Sequence, residues 1–213
     1  MKAKIGSFRE TYAFYEKISE KEFKFRIVPS AAGRKGWFVL EITKEQIKLI
    51  KYDTRNSPFH NISACPAHTL IRSPLTPGIL CKEKEESNHF VLKSNTRVIK
   101  TELVSVPVGR FNCLVVRTIF EIPVGYNGPP YCLRRLYIAK NIGIIKTETA
   151  YRHQGITKRD IAVLVRYRAV GGGFFPAKAG NFWTYQWHCE FGPNRFNIHN
   201  TGQENKYKPR KPK

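Results

Sequence analysis

Across most of this chain apolar and polar residues alternate with a period of two, and that regularity restricts it to β-strands. In "EFKFRIV", Phe23, Phe25 and Ile27 share one side and Lys24 and Arg26 the other. "DIAVLVRYRAV" puts Ile161, Val163, Val165, Tyr167 and Ala169 on one face, with Arg166 and Arg168 opposite. "WFVLEI", "HFVLK", "TRVIKTELVSV", "FNCLVVRTIFEI", "LRRLYIAK" and "GIIKTETAY" add β-branched and aromatic runs, separated by the turn segments "PSAAGRKG", "RSPLTPG", "VPVG" and "VGYNGPP". "TKEQIKLIKYD" competes: it fits two helical turns capped by Thr43, but Ile47, Leu49 and Ile50 also suit a strand after "WFVLEI", the preferred reading. About ten short strands predict an all-β fold, either an antiparallel sandwich or an open curved sheet. No strand alternates with a long amphipathic helix, which argues against a parallel α/β enzyme fold.

A chain of 213 residues with 41% hydrophobic and 13% aromatic residues can bury a real core. The outlier is charge: 37 Lys and Arg against 16 Asp and Glu give +21. Such a balance favours polyanionic partners, whether nucleic acid, anionic lipid or acidic wall polymer. The excess is spread along the chain, with 13 basic and 7 acidic groups in residues 1–70, 12 and 6 in 71–151, and 12 and 3 in 152–213. One cluster stands out at Lys206, Lys208, Arg210, Lys211 and Lys213, in a run that reads as a disordered basic tail. "LVRYRAV" and "LRRLY" interleave cations with aromatics, so Arg134, Arg135, Arg166 and Arg168 form a polyanion patch if their strands are neighbours. The competing reading is a core-facing Tyr with solvent-facing Arg.

Signals for chemistry are weak. The five cysteines, Cys65, Cys81, Cys113, Cys132 and Cys189, are odd in number and contain no C-x-x-C, so neither a disulfide framework nor a four-cysteine zinc site is indicated. Cys65 and His68 have ligand-like spacing, but His188 and Cys189 are adjacent on a strand and point to opposite faces. A nucleophile pair built from Cys65 with His60 or His68 lacks a flanking signature. "VGGGFF" joins two strands without a following helix and reads as a connector, not a phosphate cradle. Glu83, Glu85 and Glu86 sit in a charged run that reads as an exposed turn. No catalytic, cofactor or metal residues are therefore assigned. No apolar run approaches a membrane span or a secretory leader. The chain as it stands reads as cytoplasmic, and as an envelope or secreted protein if its N-terminus is truncated.

The stretch "FPAKAGNFWTYQWHCEF" (175–191) opens like a new β-module, with Trp183, Tyr185, Trp187, Cys189 and Phe191 on one face. Its "AKAGNF" (177–182) echoes "AKIGSF" (3–8), and Thr184 and Tyr185 echo Thr11 and Tyr12. The expected organisation is a β-sheet module over 1–170, a glycine-rich connector at 171–174, the start of a second, truncated module over 175–199 docking as an extra strand or hairpin, and a basic disordered tail at 200–213. Trp183, Tyr185 and Trp187 are expected to be largely buried, since an unpaired aromatic strand would be an exposed sticky edge.

Three segments carry a family resemblance. "FFPAKAGNFWTYQW" is similar to an F-P-x-x-x-G-N-x-W-x-Y opening, "VPVGRFNC" (106–113) to a V-P-x-G-x-F-x-C middle, and "LYIAKNIGIIKTE" (136–148) to a Y-x-A-x-x-V-G-x-V-K-x-E closing segment. Together they resemble the TapB-like and related bacterial β-sheet domains of unknown function. The resemblance implies an all-β fold in proteins often exported to the cell envelope, with no catalytic residues to carry over. The matching residues also have structural explanations: Pro107 and Gly109 turn the chain, and Gly143 suits a bulge or a close approach.

The leading expectation is thus a non-enzymatic β-sheet module with a surface-binding or structural role, part of a tandem-module bacterial protein and able to self-associate through strand edges. The alternative is a cytosolic polyanion or nucleic-acid binder. A cysteine- or metal-dependent hydrolase is the distant third.

Overall fold

The computed structural model describes residues 6–28, 36–43, 46–53, 68–72, 76–78, 80–86, 91–121, 131–153 and 156–193. These residues form twelve strands: β1 (Gly6–Lys17), β2 (Glu22–Val28), β3 (Gly36–Ile42), β4 (Gln46–Asp53), β5 (His68–Arg72), β6 (Leu80–Glu86), β7 (Val91–Val106), β8 (Gly109–Glu121), β9 (Tyr131–Ala139), β10 (Gly143–His153), β11 (Ile156–Arg168) and β12 (Phe182–Pro193). All pair antiparallel in one sheet of order β5-β4-β3-β2-β1-β12-β11-β10-β9-β8-β7-β6. Of the two arrangements open from sequence, the chain adopts the open curved sheet, a half-barrel. There are twelve strands, and several are long, β7 reaching 16 residues. The ambiguous "TKEQIKLIKYD" contributes β4, and Thr43 accepts a hydrogen bond at Oγ1 from the Gln46 N–H (3.0 Å) in the turn before it.

Connectivity explains the curl. The sheet is two meanders, β1 to β5 and β6 to β12, stitched along β1 and β12. Laid flat, twelve strands would separate the edges by roughly 53 Å at ~4.8 Å per gap. Yet edge strands β5 and β6 are consecutive in sequence, with only residues 73–79 between them. Those residues can reach about 29 Å at most. The sheet must therefore roll until its edges approach, and rolling gives it an inner and an outer face.

The inner face holds most of the core. Phe25, Leu40, Val98, Val116, Leu136, Ile138, Ala162, Leu164, Trp183 and Tyr185 are buried in one cluster. Trp183 is 1% exposed and lies among rings: Phe175 stacks at 5.1 Å and Phe25 is tilted at 6.1 Å. Phe25 in turn stacks on Phe38 at 5.2 Å. Burial of Phe25 and Trp183 stabilises the roll by on the order of 3 kcal/mol each.

Polar atoms within this core are satisfied by reaching over β11 to the backbone of the β9–β10 hairpin. Trp183 Nε1 donates to the Ile142 carbonyl (2.7 Å) and the Tyr185 hydroxyl to the Ile144 carbonyl (2.7 Å). Gly143, where sequence expects a bulge or a close approach, provides both. Its φ is +104°, a Cβ there would meet the Phe175 ring at 3.4 Å, and the register with β9 shifts just beyond it, between Ile144 and Lys146.

The stretch beginning at Phe175 crosses the inner face and then supplies β12, the strand of the second meander that meets the first. β12 has neighbours on both sides, β1 and β11, so it lies in the middle of the sheet. Phe174, Phe175 and Ala177 pack on the core. Asn181 fastens the crossing: its amide donates to the Val170 (3.0 Å) and Pro176 (2.7 Å) carbonyls, and its Oδ1 accepts from the Val170 N–H (2.9 Å). The segment 171–174, read as a connector, is part of this crossing, with the Gly173 carbonyl accepting from the Asn141 N–H at 2.6 Å. Trp183 and Tyr185 are buried as expected, whereas Trp187 is half-buried.

The sequence echo lies on this seam. Thr11 and Thr184, the matching threonines, are directly opposite and their hydroxyls hydrogen-bond at 2.9 Å. The matching tyrosines, Tyr12 and Tyr185, meet edge to face at 5.6 Å. Residues 3–5 of the first copy lie outside the described residues.

Candidate polyanion-binding face

A strand pattern that sends apolar residues inward sends the intervening cations outward, so the outer face of the half-barrel is where the charge collects. Three arginines on consecutive strands form a row on it. Arg97 on β7 is opposite Arg117 on β8, and Arg117 is opposite Arg135 on β9. Like charges directly opposite on a sheet destabilise it. Burial, and then repulsion from Arg135 and Arg97, lowers the pKa of the Arg117 guanidinium.

The row ends at Glu148 on β10, opposite Arg135. Its carboxylate binds Lys146 Nζ at 2.6 Å and lies 3.5 Å from both Arg135 and Arg159, and Arg159 continues to Glu190 at 3.9 Å. Burial alone would raise the pKa of Glu148, but the Lys146 hydrogen bond and the charges of Lys146, Arg159 and Arg135 outweigh it and hold the carboxyl below 4.5. Tyr137, under Lys146 at 5.0 Å, is pushed up to about 12 by burial and by Glu148.

The arginines singled out from sequence do not form one patch. Arg134 and Arg135 are consecutive on β9 and fall on opposite faces: Arg134 is opposite Thr118 and Thr149, with its guanidinium 4.8 Å over the Phe120 ring, so it leaves the outer face. Arg135 joins the row with Arg97 and Arg117, which sequence did not single out. Arg166 and Arg168 are exposed on the outer face of β11, past the bulge between Leu164 and Arg166. The Arg166 guanidinium lies 5.3 Å over the Phe182 ring, and Arg168 is opposite Phe182. Along β11 from the level of the arginine row these two lie about five and seven residues away, roughly 16 and 23 Å. Tyr167 points inward and meets Phe111 edge to face at 6.3 Å, so "LVRYRAV" has a core-facing Tyr with solvent-facing arginines. Lys206, Lys208, Arg210, Lys211 and Lys213 lie outside the described residues.

On the inner side, Asp160 is fully buried, with Lys158 Nζ 3.5 Å from its carboxylate. Cys113 and Cys132 are buried free thiols, and burial, reinforced by Glu102, pushes Cys113 up to about 11, leaving it protonated at neutral pH. Cys65 and His60 lie outside the described residues. Among the described residues no three His, Cys, Asp or Glu side chains are grouped as metal ligands, and no helix is long and apolar enough to cross a membrane.

No family model, curated protein or solved structure matches the chain. Its chemistry must therefore be read from its own surface.

Proposed function

We propose that this chain is a non-enzymatic β-sheet module that binds polyanions through the outer face of its half-barrel. The observation that carries this reading is the in-register row Arg97–Arg117–Arg135. Three guanidinium groups stand in register on adjacent strands, about 4.8 Å apart at the backbone, and concentrate positive charge there. Guanidinium forks suit the oxygens of phosphate, sulfate and carboxylate groups, and a net charge of +21 draws such partners in from a distance. Glu148 holds one end of the row in place without neutralising the other.

Arg97→Gln separates this role from a structural one. The substitution removes one like-charge pair, so urea unfolding should show stability unchanged or raised by up to about 1 kcal/mol. Affinity for heparin should fall several-fold at the same time. Unchanged heparin affinity would contradict the proposal.

A further inference from the structure

We infer that the outer face over β3, β2, β1, β12 and β11 is a stacking platform for single-stranded nucleic acid. The inference rests on the polyanion reading and narrows it to one partner. Five residues form a row across these strands, each opposite the next: Trp37, Arg26, Ala13, Phe182 and Arg168. Phe14 faces inward opposite Phe25, and Tyr15, in the bulge between Phe14 and Glu16, lies on the outer surface, 51% exposed. Each aromatic ring has a cation over it. Lys24 Nζ is 5.3 Å from the Tyr15 ring and 5.2 Å from the Trp37 ring, Arg26 is 5.5 Å from Tyr15, and Arg166 is 5.3 Å from Phe182.

This arrangement differs from the arginine row in the feature that identifies its ligand. An anionic glycan or an acidic peptide needs cations only. Outward rings interleaved with cations meet both halves of a nucleotide, the rings stacking on base faces and the cations taking phosphates. Trp37 and Phe182 are three strand spacings apart, about 14 Å. Ala13 lies between them as a low point in the surface, so an extended strand a few nucleotides long can touch both rings. A duplex keeps its bases stacked on each other and cannot use them. Arg26, Arg166 and Arg168 are exposed and form no ion pair among the described residues, while Lys24 is shared with Glu16 at 3.1 Å.

The test measures the full chain against three probes by fluorescence anisotropy: labelled oligothymidylate, a duplex of equal length, and heparin, which has no bases. Oligothymidylate should bind tighter than the duplex. Tyr15→Ala and Trp37→Ala should each weaken oligothymidylate about tenfold and leave heparin unchanged. Trp37→Phe should restore most of the loss. Trp37 is half-buried, so Tyr15→Ala, at a ring half in water, keeps the test independent of folding. If the ring variants leave oligothymidylate affinity intact, lower heparin affinity equally, or if duplex binds as tightly, the stacking platform is wrong and the polyanion reading stands. If the wild-type chain binds none of the three, the polyanion reading itself fails.

Discussion

At the scale of single residues, what decides a side chain's role here is parity along its strand. Arg134 and Arg135 are neighbours in sequence, and one lies over Phe120 while the other faces Glu148. The alternation in "LRRLY" was legible, yet the sequence reading placed both in one patch. Which of them met other cations was not legible, because that depends on which residue of the next strand is opposite. Glu148 shows the same dependence, since nothing in "KTETA" announces a carboxylate held by cations from three strands. Its lowered pKa gives a signed prediction. A carboxyl depressed in the folded state contributes stability that is fully present above the ordinary value of 4.5 and lost as pH falls through the lowered folded value. Part of the acid limb of a urea-stability profile below about pH 4.5 should therefore be absent in Glu148→Gln. At neutral pH the same variant should be less stable by about 2 kcal/mol, because a hydrogen bond to a charged group is lost and three cations are left without their anion. An acid limb unaltered by the substitution would contradict this account.

At the scale of elements, the strands were readable and their order was not. Period-two alternation marks β2, β3 and β11 directly, and the strand reading of "TKEQIKLIKYD" follows from its Ile and Leu positions. Gly143 hinted at the bulge at Ile144/Lys146, whereas the one at Leu164/Arg166 was hidden, as were the bonds from Trp183 and Tyr185 to hairpin carbonyls across a strand. The aromatic stretch at 182–187 gave a true signal of burial, yet its neighbours could not be read from it. β12 joins the first strand to the eleventh, at the centre of the sheet. That placement predicts a pattern of hydrogen exchange. Amides of β11, β12 and β1 should exchange slowest and those of the edge strands β5 and β6 fastest, since local opening begins where backbone bonds have a partner on one side only. Early exchange along the β1–β12 seam would instead mean that the two meanders open as separate units.

At the scale of the whole molecule, an all-strand chain whose edge strands are joined by residues 73–79 has to roll, and rolling sorts its side chains into an aromatic interior and a basic exterior. The charge excess was plain in the sequence. Its concentration into rows was not, because a row such as Arg97–Arg117–Arg135 or Trp37–Arg26–Ala13–Phe182–Arg168 takes one residue from each of several strands. In "EFKFRIV" and "WFVLEI" the outward residues Lys24, Arg26 and Trp37 could have been named one by one, and only register brings them together. The central claim is that these rows make the outer face a site for polyanions, and the salt dependence of binding tests it most directly. Affinity of the full chain for single-stranded DNA, measured from about 50 to 200 mM salt, should fall linearly on a log–log plot, with a slope that reports several phosphate contacts. Removing Arg97 should make that slope shallower by about 1 if the row engages the same strand. A slope near zero, or no binding at the lowest salt, would contradict the claim.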